Sequence, residues 1–209
     1  MPDLSREMLP LVAEGDARAP LWQRGTQAGT QVLTRGAFVR AALRTAAALP
    51  GDGPIVNLCE SREGFALTLA AALIARRSLL LPPSVAPATL REIADTHGAR
   101  LAVAERAELA AGLPWQAAPR VEVDDEGAAD AIPRIAAAAI AAIPFTSGST
   151  GHPQPHPKTW GTLVRTAQLA LRRFVPDGPP PSVVATVPPQ HMYGLETSVI
   201  YALAAGVHT

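Results

Sequence analysis

The chain has 209 residues, 48% of them hydrophobic, and its 18 basic and 18 acidic side chains give a formal net charge of zero. This composition supports a buried core and argues against a disordered chain. Basic residues form no run longer than two, so the sequence lacks the electrostatic pattern of a nucleic-acid-binding protein.

The N-terminus and the cysteine content indicate a cytoplasmic protein. The first residues, MPDLSREMLPLVAEGD, carry acidic side chains and no apolar core of a signal peptide. The single cysteine, Cys59, lies in the apolar run IVNLC, which predicts a buried thiol in a reducing compartment. The most apolar segment, FALTLAAALIA, is shorter than the roughly 20 residues of a membrane span, so we predict a buried helix and no membrane partner.

Strands and helices alternate through the first part of the chain. TRGAFVRAALRTAAAL has helical spacing and Thr34 as its cap. It is followed by the strand PIVNLCE, a helix that begins at Ser61, the strand SLLLP, a helix that ends at Gly98 and the strand ARLAVAE. The pairs Arg76-Arg77 and Arg172-Arg173 are expected in the last turns of helices. This alternation predicts an α/β fold of mostly parallel sheets flanked by helices.

The stretch from residue 107 to residue 133 gives a weaker signal. VEV is a candidate edge strand and DDEG a candidate turn. The acidic cluster Asp124, Asp125 and Glu126 favours a solvated turn over a metal site, because no histidine or further carboxylate lies nearby in the sequence to complete one.

A second alternation follows. The strand AAAAIAAIPF leads into the helix KTWGTLVRTAQLALRRF, then come the strand PPPSVVATVPPQ, a helix that ends at Gly206, and VHT as the first residues of another strand. We therefore predict two α/β subdomains, 1–135 and 136–209. Because an unpaired strand edge is a liability, we expect the sequence to be the N-terminal piece of a longer protein.

The segment TSGSTG, between this strand and this helix, has the parts of an anion-binding loop. Small residues let backbone N–H groups turn inward, and hydroxyls add further donors. For the hexapeptide alone, a flexible linker is an equally good interpretation. The flanking strand and helix favour the phosphate loop, although the spacing matches neither a Walker A motif nor a kinase glycine loop. The predicted phosphate ligands are Thr146, Ser147, Gly148, Ser149, Thr150 and Gly151.

His152 and His156 have the H-x-x-x-H spacing of some zinc sites. The prolines between them exclude the helix that would place both rings on one face, so we predict no metal site here.

TSGSTGHP, together with the later VPPQHMYGLE, resembles the third and fourth core motifs of the adenylate-forming superfamily. This superfamily includes acyl- and aryl-CoA synthetases, nonribosomal peptide adenylation domains and luciferases. VLTRGAF and the segment from Gly51 to Pro83 resemble its earlier elements. The resemblance covers nearly all of the chain but about the first half of the superfamily's usual length, and it implies the N-terminal half of the large domain.

The resemblance implies an ATP-dependent acid:thiol ligase. A carboxylate attacks the α-phosphorus of ATP, pyrophosphate leaves, and the acyl group passes to coenzyme A or to the phosphopantetheine arm of an acyl carrier protein. Residues 146–151 would hold the β- and γ-phosphates with a bridging Mg²⁺ ion. The variant PQPHPK resembles ligases of aryl-polyene and xanthomonadin-type pigment pathways, which implies an aromatic acid such as a hydroxybenzoate.

Two parts of the implied site leave alternatives open. The superfamily's pattern continues Pro-Lys-Gly, whereas this chain has Gln154 after the proline and delays its lysine to Lys158. Lys158 is either a catalytic cation or a solvated helix-start residue. His191, Tyr193 and Gly194 match positions that border the carboxylate pocket, but His191 can also be a helix cap and Tyr193 can pack on the sheet.

The superfamily's Mg²⁺-binding glutamate, ribose-binding aspartate and C-terminal catalytic lysine would lie beyond residue 209. We therefore expect the 209-residue chain to be inactive alone. The alternatives are a non-catalytic nucleotide- or carrier-protein-binding α/β module and a purely structural Gly/Ser connection.

Overall fold

A computed structural model gives the arrangement of most of the chain. Its architecture is mixed α/β, with one large sheet, two small two-stranded sheets and helices on both faces of the large sheet. The residues that the structure describes are 6–26, 29–122, 131–147, 152–175 and 182–209.

The helices and strands have the following bounds. The strands are β1 Met8–Pro10, β2 Pro20–Thr26, β3 Gly29–Thr34, β4 Ile55–Asn57, β5 Leu79–Leu81, β6 Leu101–Ala104, β7 Trp115–Ala117, β8 Arg134–Ala136, β9 Ile140–Ser147, β10 Pro153–Pro155 and β11 Lys158–Thr159. The helices are α1 Arg35–Ala48, α2 Arg62–Ile74, α3 Pro87–His97, α4 Trp160–Phe174, α5 Met192–Gly194 and α6 Tyr201–Ala205, with a 3₁₀ turn at Ala107–Ala110 and a π-helical stretch at Leu195–Ile200.

The large sheet is parallel through its centre. Its order is β10-β9-β5-β4-β6-β7, and β11 also pairs with β9. The pairs β4 with β5, β4 with β6, β5 with β9 and β6 with β7 are all parallel, whereas β10 and β11 return antiparallel to β9. The predicted mostly parallel sheet is confirmed.

Alternate residues of the short central strands enter two different cores. Ile55, Leu79 and Leu101 belong to one hydrophobic cluster, which also contains the apolar residues of α1, α2 and α4. Their neighbours Val56 and Leu80 belong to a second cluster, on the opposite face, with the apolar residues of α3. Because side chains alternate across a strand and both faces are covered, these strands are apolar except for the buried Asn57, whose amide donates to the carbonyl of Phe65.

The predicted helix boundaries are set by capping residues. The hydroxyls of Thr34, Ser61 and Thr159 accept hydrogen bonds from backbone N–H groups in the first turns of α1, α2 and α4. Gly98 and Gly206 follow α3 and α6 in the left-handed region, with φ of 70° and 68°. The apolar segment forms α2, which is buried along most of its length as predicted. No helix within the described ranges is both long and apolar enough to cross a membrane.

The predicted strand PPPSVVATVPPQ is wrong for the residues that are described. From residue 182 onward the segment contains one isolated parallel bridge, Ser182 to His208, and no strand. Pro188 and Pro189 lack an N–H to donate, and the carbonyl of Val187 accepts a hydrogen bond from Arg62 rather than from a neighbouring strand. The predicted strand VHT is likewise limited to this bridge.

The VEV prediction also fails where it can be compared with the structure, because Val121 and Glu122 are not in a strand. Val123 and the predicted DDEG turn lie outside the described residues. The edge strand beside β6 is instead β7, which lies a few residues before VEV in the sequence.

The two arginine pairs differ. Arg172 and Arg173 lie in the last turn of α4, as predicted. The same prediction for Arg76 and Arg77 is wrong, because α2 ends at Ile74 and Arg77 turns inward to a buried position.

The large sheet continues across the predicted division near residue 135. Strand β9 pairs with β5, with Leu79 opposite Ala142. This pairing does not support a division of the chain into subdomains 1–135 and 136–209, which stays a prediction.

Candidate functional site

The predicted phosphate loop connects the two strands of a β-hairpin at the edge of the large sheet. In this hairpin Ser147 lies opposite Pro153, Thr146 opposite Gln154, and Phe145 opposite Pro155. Of the six predicted ligands, the structure places Thr146 and the backbone of Ser147. Gly148, Ser149, Thr150 and Gly151 lie outside the described residues, so their role as phosphate ligands stays a prediction.

Thr146 contacts a histidine from the returning strand. The Oγ1 atom of Thr146 lies 3.1 Å from Nε2 of His156, and both side chains are exposed. The backbone N–H of His156 donates to the carbonyl of Pro144 at 2.9 Å, which fixes the residue against β9. Sequence reasoning considered His156 only as a metal ligand and missed this contact.

The other histidine of the hairpin has a different partner. His152 Nδ1 lies 2.8 Å from Glu92 Oε1 on α3, so this hydrogen bond ties the returning segment to the helix on one face of the sheet. In the part of the chain that the structure describes, no group of three or more His, Cys, Asp or Glu side chains is placed to hold a metal ion.

Lys158 lies further from the loop than its sequence position suggests. It pairs with Ala142, four residues before Thr146 along β9. At about 3.3 Å per residue, this separation corresponds to roughly 13 Å along the strand. The described structure therefore does not bring Lys158 beside Thr146, and its catalytic role stays a prediction.

The second motif, VPPQHMYGLE, forms a turn and the start of a helix. Gly194 is buried, and a Cβ atom there would lie 2.0 Å from the carbonyl oxygen of Pro188, so only glycine allows this approach. His191 is exposed at the N-cap position of α5 without a side-chain cap bond, and Tyr193 is 67% exposed. Substrate contacts of these three residues stay predictions.

Two side chains tie this motif to the end of β4 and the start of α2. Gln190 Nε2 donates to the carbonyl of Cys59. Arg62 Nε donates to Ser198 Oγ at 2.9 Å, and its guanidinium also donates to the carbonyl of Val187 at 3.0 Å. Burial lowers the pKa of Arg62 from its usual value. A cation in the first turn of a helix is disfavoured by the helix dipole. The position of Arg62 at the start of α2 was therefore a signal in the sequence that its side chain contacts another segment.

A carboxylate missed by sequence reasoning holds the N-terminus of α2. Glu105 follows β6 and accepts hydrogen bonds from the backbone of Glu60 at 2.8 Å, the backbone of Ser61 at 2.9 Å and the hydroxyl of Ser61 at 2.8 Å. Burial alone would raise the pKa of Glu105, but these hydrogen bonds outweigh burial and hold the pKa below its usual value. These hydrogen bonds fix the N-terminus of α2 to the segment that follows β6.

The chain passes from β4 to β5 through α2 and then from β5, past β4, to β6 through α3, and these two helices lie on opposite faces of the sheet. Helix α2 packs in one cluster and α3 in the other. In open α/β sheets, ligands bind at the carboxyl edge where the strand order reverses in this way. Glu105, the start of α2 and the motif around Gln190 all lie at this edge, as does the carboxyl end of β9.

The sheet, its reversal point and a glycine- and hydroxyl-rich hairpin at the carboxyl edge are the features of an α/β protein that binds a phosphorylated ligand. Comparison with known proteins gives the family. The family model for AMP-binding enzymes matches residues 13–209, and the chain belongs to this family. The resemblance to the adenylate-forming superfamily is confirmed.

Individual relatives agree with this family. The chain is 39% identical over 61 residues to a 4-coumarate–CoA ligase of Halorhodospira halophila, which is 29% of this chain and 15% of that protein. A malonyl-CoA ligase, solved as a ternary product complex with methylmalonyl-CoA and AMP, superposes with a TM-score of 0.72 at 21% identity, over 99% of this chain and 43% of that one.

An o-succinylbenzoate CoA synthetase of Bacillus subtilis, solved with ATP and magnesium, superposes with a TM-score of 0.65 at 17% identity, over 85% of this chain and 50% of that one. At these identities the two solved structures show the fold alone. The chain spans about half the length of these structures.

Proposed function

We propose that the protein in which this chain occurs is an ATP-dependent carboxylic acid:thiol ligase. One observation carries the proposal. The motif TSGSTGHP connects β9 to its return strand at the carboxyl edge of the sheet, in a chain that the AMP-binding enzyme model matches over residues 13–209. The second motif, VPPQHMYGLE, follows the first in the chain and contacts the segment after β4 through Gln190, and it supports the same function.

The proposed reaction has two steps. A carboxylate oxygen attacks the α-phosphorus of ATP, the bond to the bridging oxygen breaks, and pyrophosphate leaves with that electron pair. A thiolate then attacks the acyl carbon, and AMP leaves with one of the oxygens of the original carboxylate. Both reactants of the first step are anions, so the protein contributes mainly by positioning them and by neutralising charge.

In this chain, the hairpin is proposed to hold the triphosphate. The hydroxyl of Thr146 is exposed one residue before the end of β9, directly before the predicted ligands of residues 147–151 in the sequence. Mg²⁺ is proposed to bind together with ATP and to neutralise the charge of its phosphates. The solved o-succinylbenzoate synthetase contains the same pair of ligands.

The acid is proposed to be aromatic, such as a hydroxybenzoate, and to lie beside the second motif. The exposed side chains of His191 and Tyr193 are accessible to a ligand there, and Gly194 closes the turn beneath them. The name of the coumarate ligase relative supports an aromatic acid, whereas the name of the malonyl-CoA ligase supports a small aliphatic one. Both names support CoA as acceptor, and the PQPHPK variant supports a phosphopantetheinyl acyl carrier protein.

Carboxylate-dependent exchange of labelled pyrophosphate into ATP tests this function. The full-length protein is incubated with aromatic, fatty and dicarboxylic acids in turn, and we expect exchange with an aromatic acid. Thioester formation with CoA and with loaded carrier protein then identifies the acceptor. The 209-residue chain alone is expected to be inactive. A folded full-length protein that gives no exchange with any acid contradicts the proposal, and ATP binding without exchange identifies a non-catalytic binding module instead.

A further inference from the structure

The hairpin lacks the lysine that the superfamily's pattern places directly after the loop proline. Gln154 occupies that position and lies opposite Thr146 in the antiparallel pairing. A neutral amide brings no positive charge to a triphosphate. If the chain binds ATP as proposed, the ligands that remain in the hairpin therefore need support from another side chain.

His156 is better placed for this than Lys158. Its Nε2 atom is within hydrogen-bonding distance of the Thr146 hydroxyl, at 3.1 Å. Lys158 pairs with Ala142, four residues further back along the same strand. From the sequence alone, Lys158 is the obvious replacement for the superfamily's lysine. The register of the hairpin instead places His156 beside Thr146.

The backbone around His156 holds the ring in this position. Pro155 and Pro157 flank the residue, and each proline fixes its own φ near −65° and restricts the residue before it to extended conformations. The backbone N–H of His156 donates to Pro144. The contact with Thr146 is therefore made by a side chain on a constrained segment, and little conformational entropy is lost when a ligand binds.

We propose that His156 is a positioning residue that prepares the hydroxyl of Thr146 for the phosphates of ATP. In this arrangement Nε2–H donates to Oγ1 of Thr146. The hydroxyl proton then points away from the imidazole and is free to donate to a phosphate oxygen. The inference rests on the proposed function, since it takes ATP as the ligand.

Affinities for ATP and AMP, measured by calorimetry on the full-length protein, test this role. AMP lacks the β- and γ-phosphates, so loss of the His156 contact should affect ATP alone. For His156→Ala we expect about tenfold weaker ATP binding, equivalent to about 1.4 kcal/mol, and a change below about twofold for AMP. His156→Gln keeps an N–H donor and should recover most of the ATP affinity. A thermal unfolding midpoint equal to the wild type excludes misfolding.

A double-mutant cycle tests the contact itself. Thr146→Val removes the hydroxyl at nearly constant shape, and His156→Ala combined with it should weaken ATP binding no more than either change alone. His152→Ala is the matched control, because this histidine of the same hairpin contacts Glu92 instead. Its effect on ATP affinity is expected to add to that of Thr146→Val.

Three results for the hairpin variants at His156 and Thr146 would overturn the inference while leaving the proposed function intact. These are unchanged ATP affinity in His156→Ala, equal losses for ATP and AMP, and full additivity with Thr146→Val. A larger ATP-specific loss in Lys158→Ala than in His156→Ala would also overturn it, in favour of the lysine. A wild-type protein that binds neither nucleotide contradicts the proposed function and this inference together.

Discussion

Arg77 is a buried cation whose partners are backbone carbonyls rather than a carboxylate. Its guanidinium donates to the carbonyls of Pro50, Gly51, Asp52 and Gly53 in the turn between α1 and β4. Burial lowers the pKa of Arg77, with the Asp52 carboxylate acting against this effect. The side chain thus donates to four acceptors of an exposed turn and ties this turn to the segment that follows α2.

Replacing Arg77 by alanine should destabilise the protein. Hydrogen bonds to a charged group are worth more than neutral ones, and the carbonyls would lose their donor, so we expect a loss of about 2 kcal/mol in the free energy of unfolding. Arg76→Ala is the control, because Arg76 is exposed, and should change this free energy by less than about 0.5 kcal/mol. Urea unfolding of both variants measures the difference. Equal losses would contradict the role assigned to Arg77.

Single residues were predictable where their role is local. The buried position of Cys59 follows from its apolar neighbours, and the structure confirms it. Burial raises the pKa of this thiol to about 12, mainly by desolvation. The contacts of Arg77 and His156 depend on segments that are brought together by the fold, so no pattern near these residues in the sequence could have indicated their partners.

At the level of elements, the N-terminus of α2 is held by the strand beside it. Glu105 follows β6 and accepts from the backbone and hydroxyl of Ser61, while Arg106 of the same segment pairs with Glu60 at 3.0 Å. A carboxylate at a helix N-terminus is also favoured by the helix dipole. This pairing fixes the start of α2, from which Arg62 reaches the second motif.

In Glu105→Gln, the free energy of unfolding should change less than in the wild type as pH falls into the acid range. The pKa of Glu105 is lowered in the folded protein, so its contribution to stability is present above the unfolded pKa and is lost as pH falls through the folded one. We expect the variant to lose about 1 kcal/mol near neutral pH, and the difference from wild type to shrink below pH 4.5, the usual value for this carboxyl.

Urea unfolding at neutral and acid pH measures this difference. Glu108→Gln provides the control, since Glu108 is an exposed acid on the next turn. A difference between wild type and Glu105→Gln that stays constant down to the lowest pH would contradict the assignment.

Helices were predicted well because their signals are local. Caps such as Thr34 and Thr159, and the terminating Gly98 and Gly206, all act within one turn of the residues that they cap. The segment 182–190 shows the limit of this approach. Its valines have strand propensity, but a strand also needs a neighbour, and here only Ser182 bridges to His208.

At the scale of the whole molecule, the site combines segments from both ends of the chain. Arg62 bridges to residues more than a hundred positions later, and β9 joins the sheet beside β5 rather than starting a new one. Alternation of strands and helices predicts a parallel sheet, but it does not fix which strands are neighbours. The position of the TSGSTG segment directly after a strand could be predicted from the sequence, whereas the hairpin that it joins and the register of that hairpin could not.

The proposed function requires a carboxylate of the substrate to attack the α-phosphorus of ATP. The most direct measurement uses an acid labelled with ¹⁸O in both carboxylate oxygens, the full-length protein, ATP and the thiol acceptor, with mass spectrometry of the products. We expect one ¹⁸O atom in AMP for each thioester formed, because the acyl–oxygen bond breaks in the second step. Label in inorganic phosphate, with ADP as the nucleotide product, would contradict it.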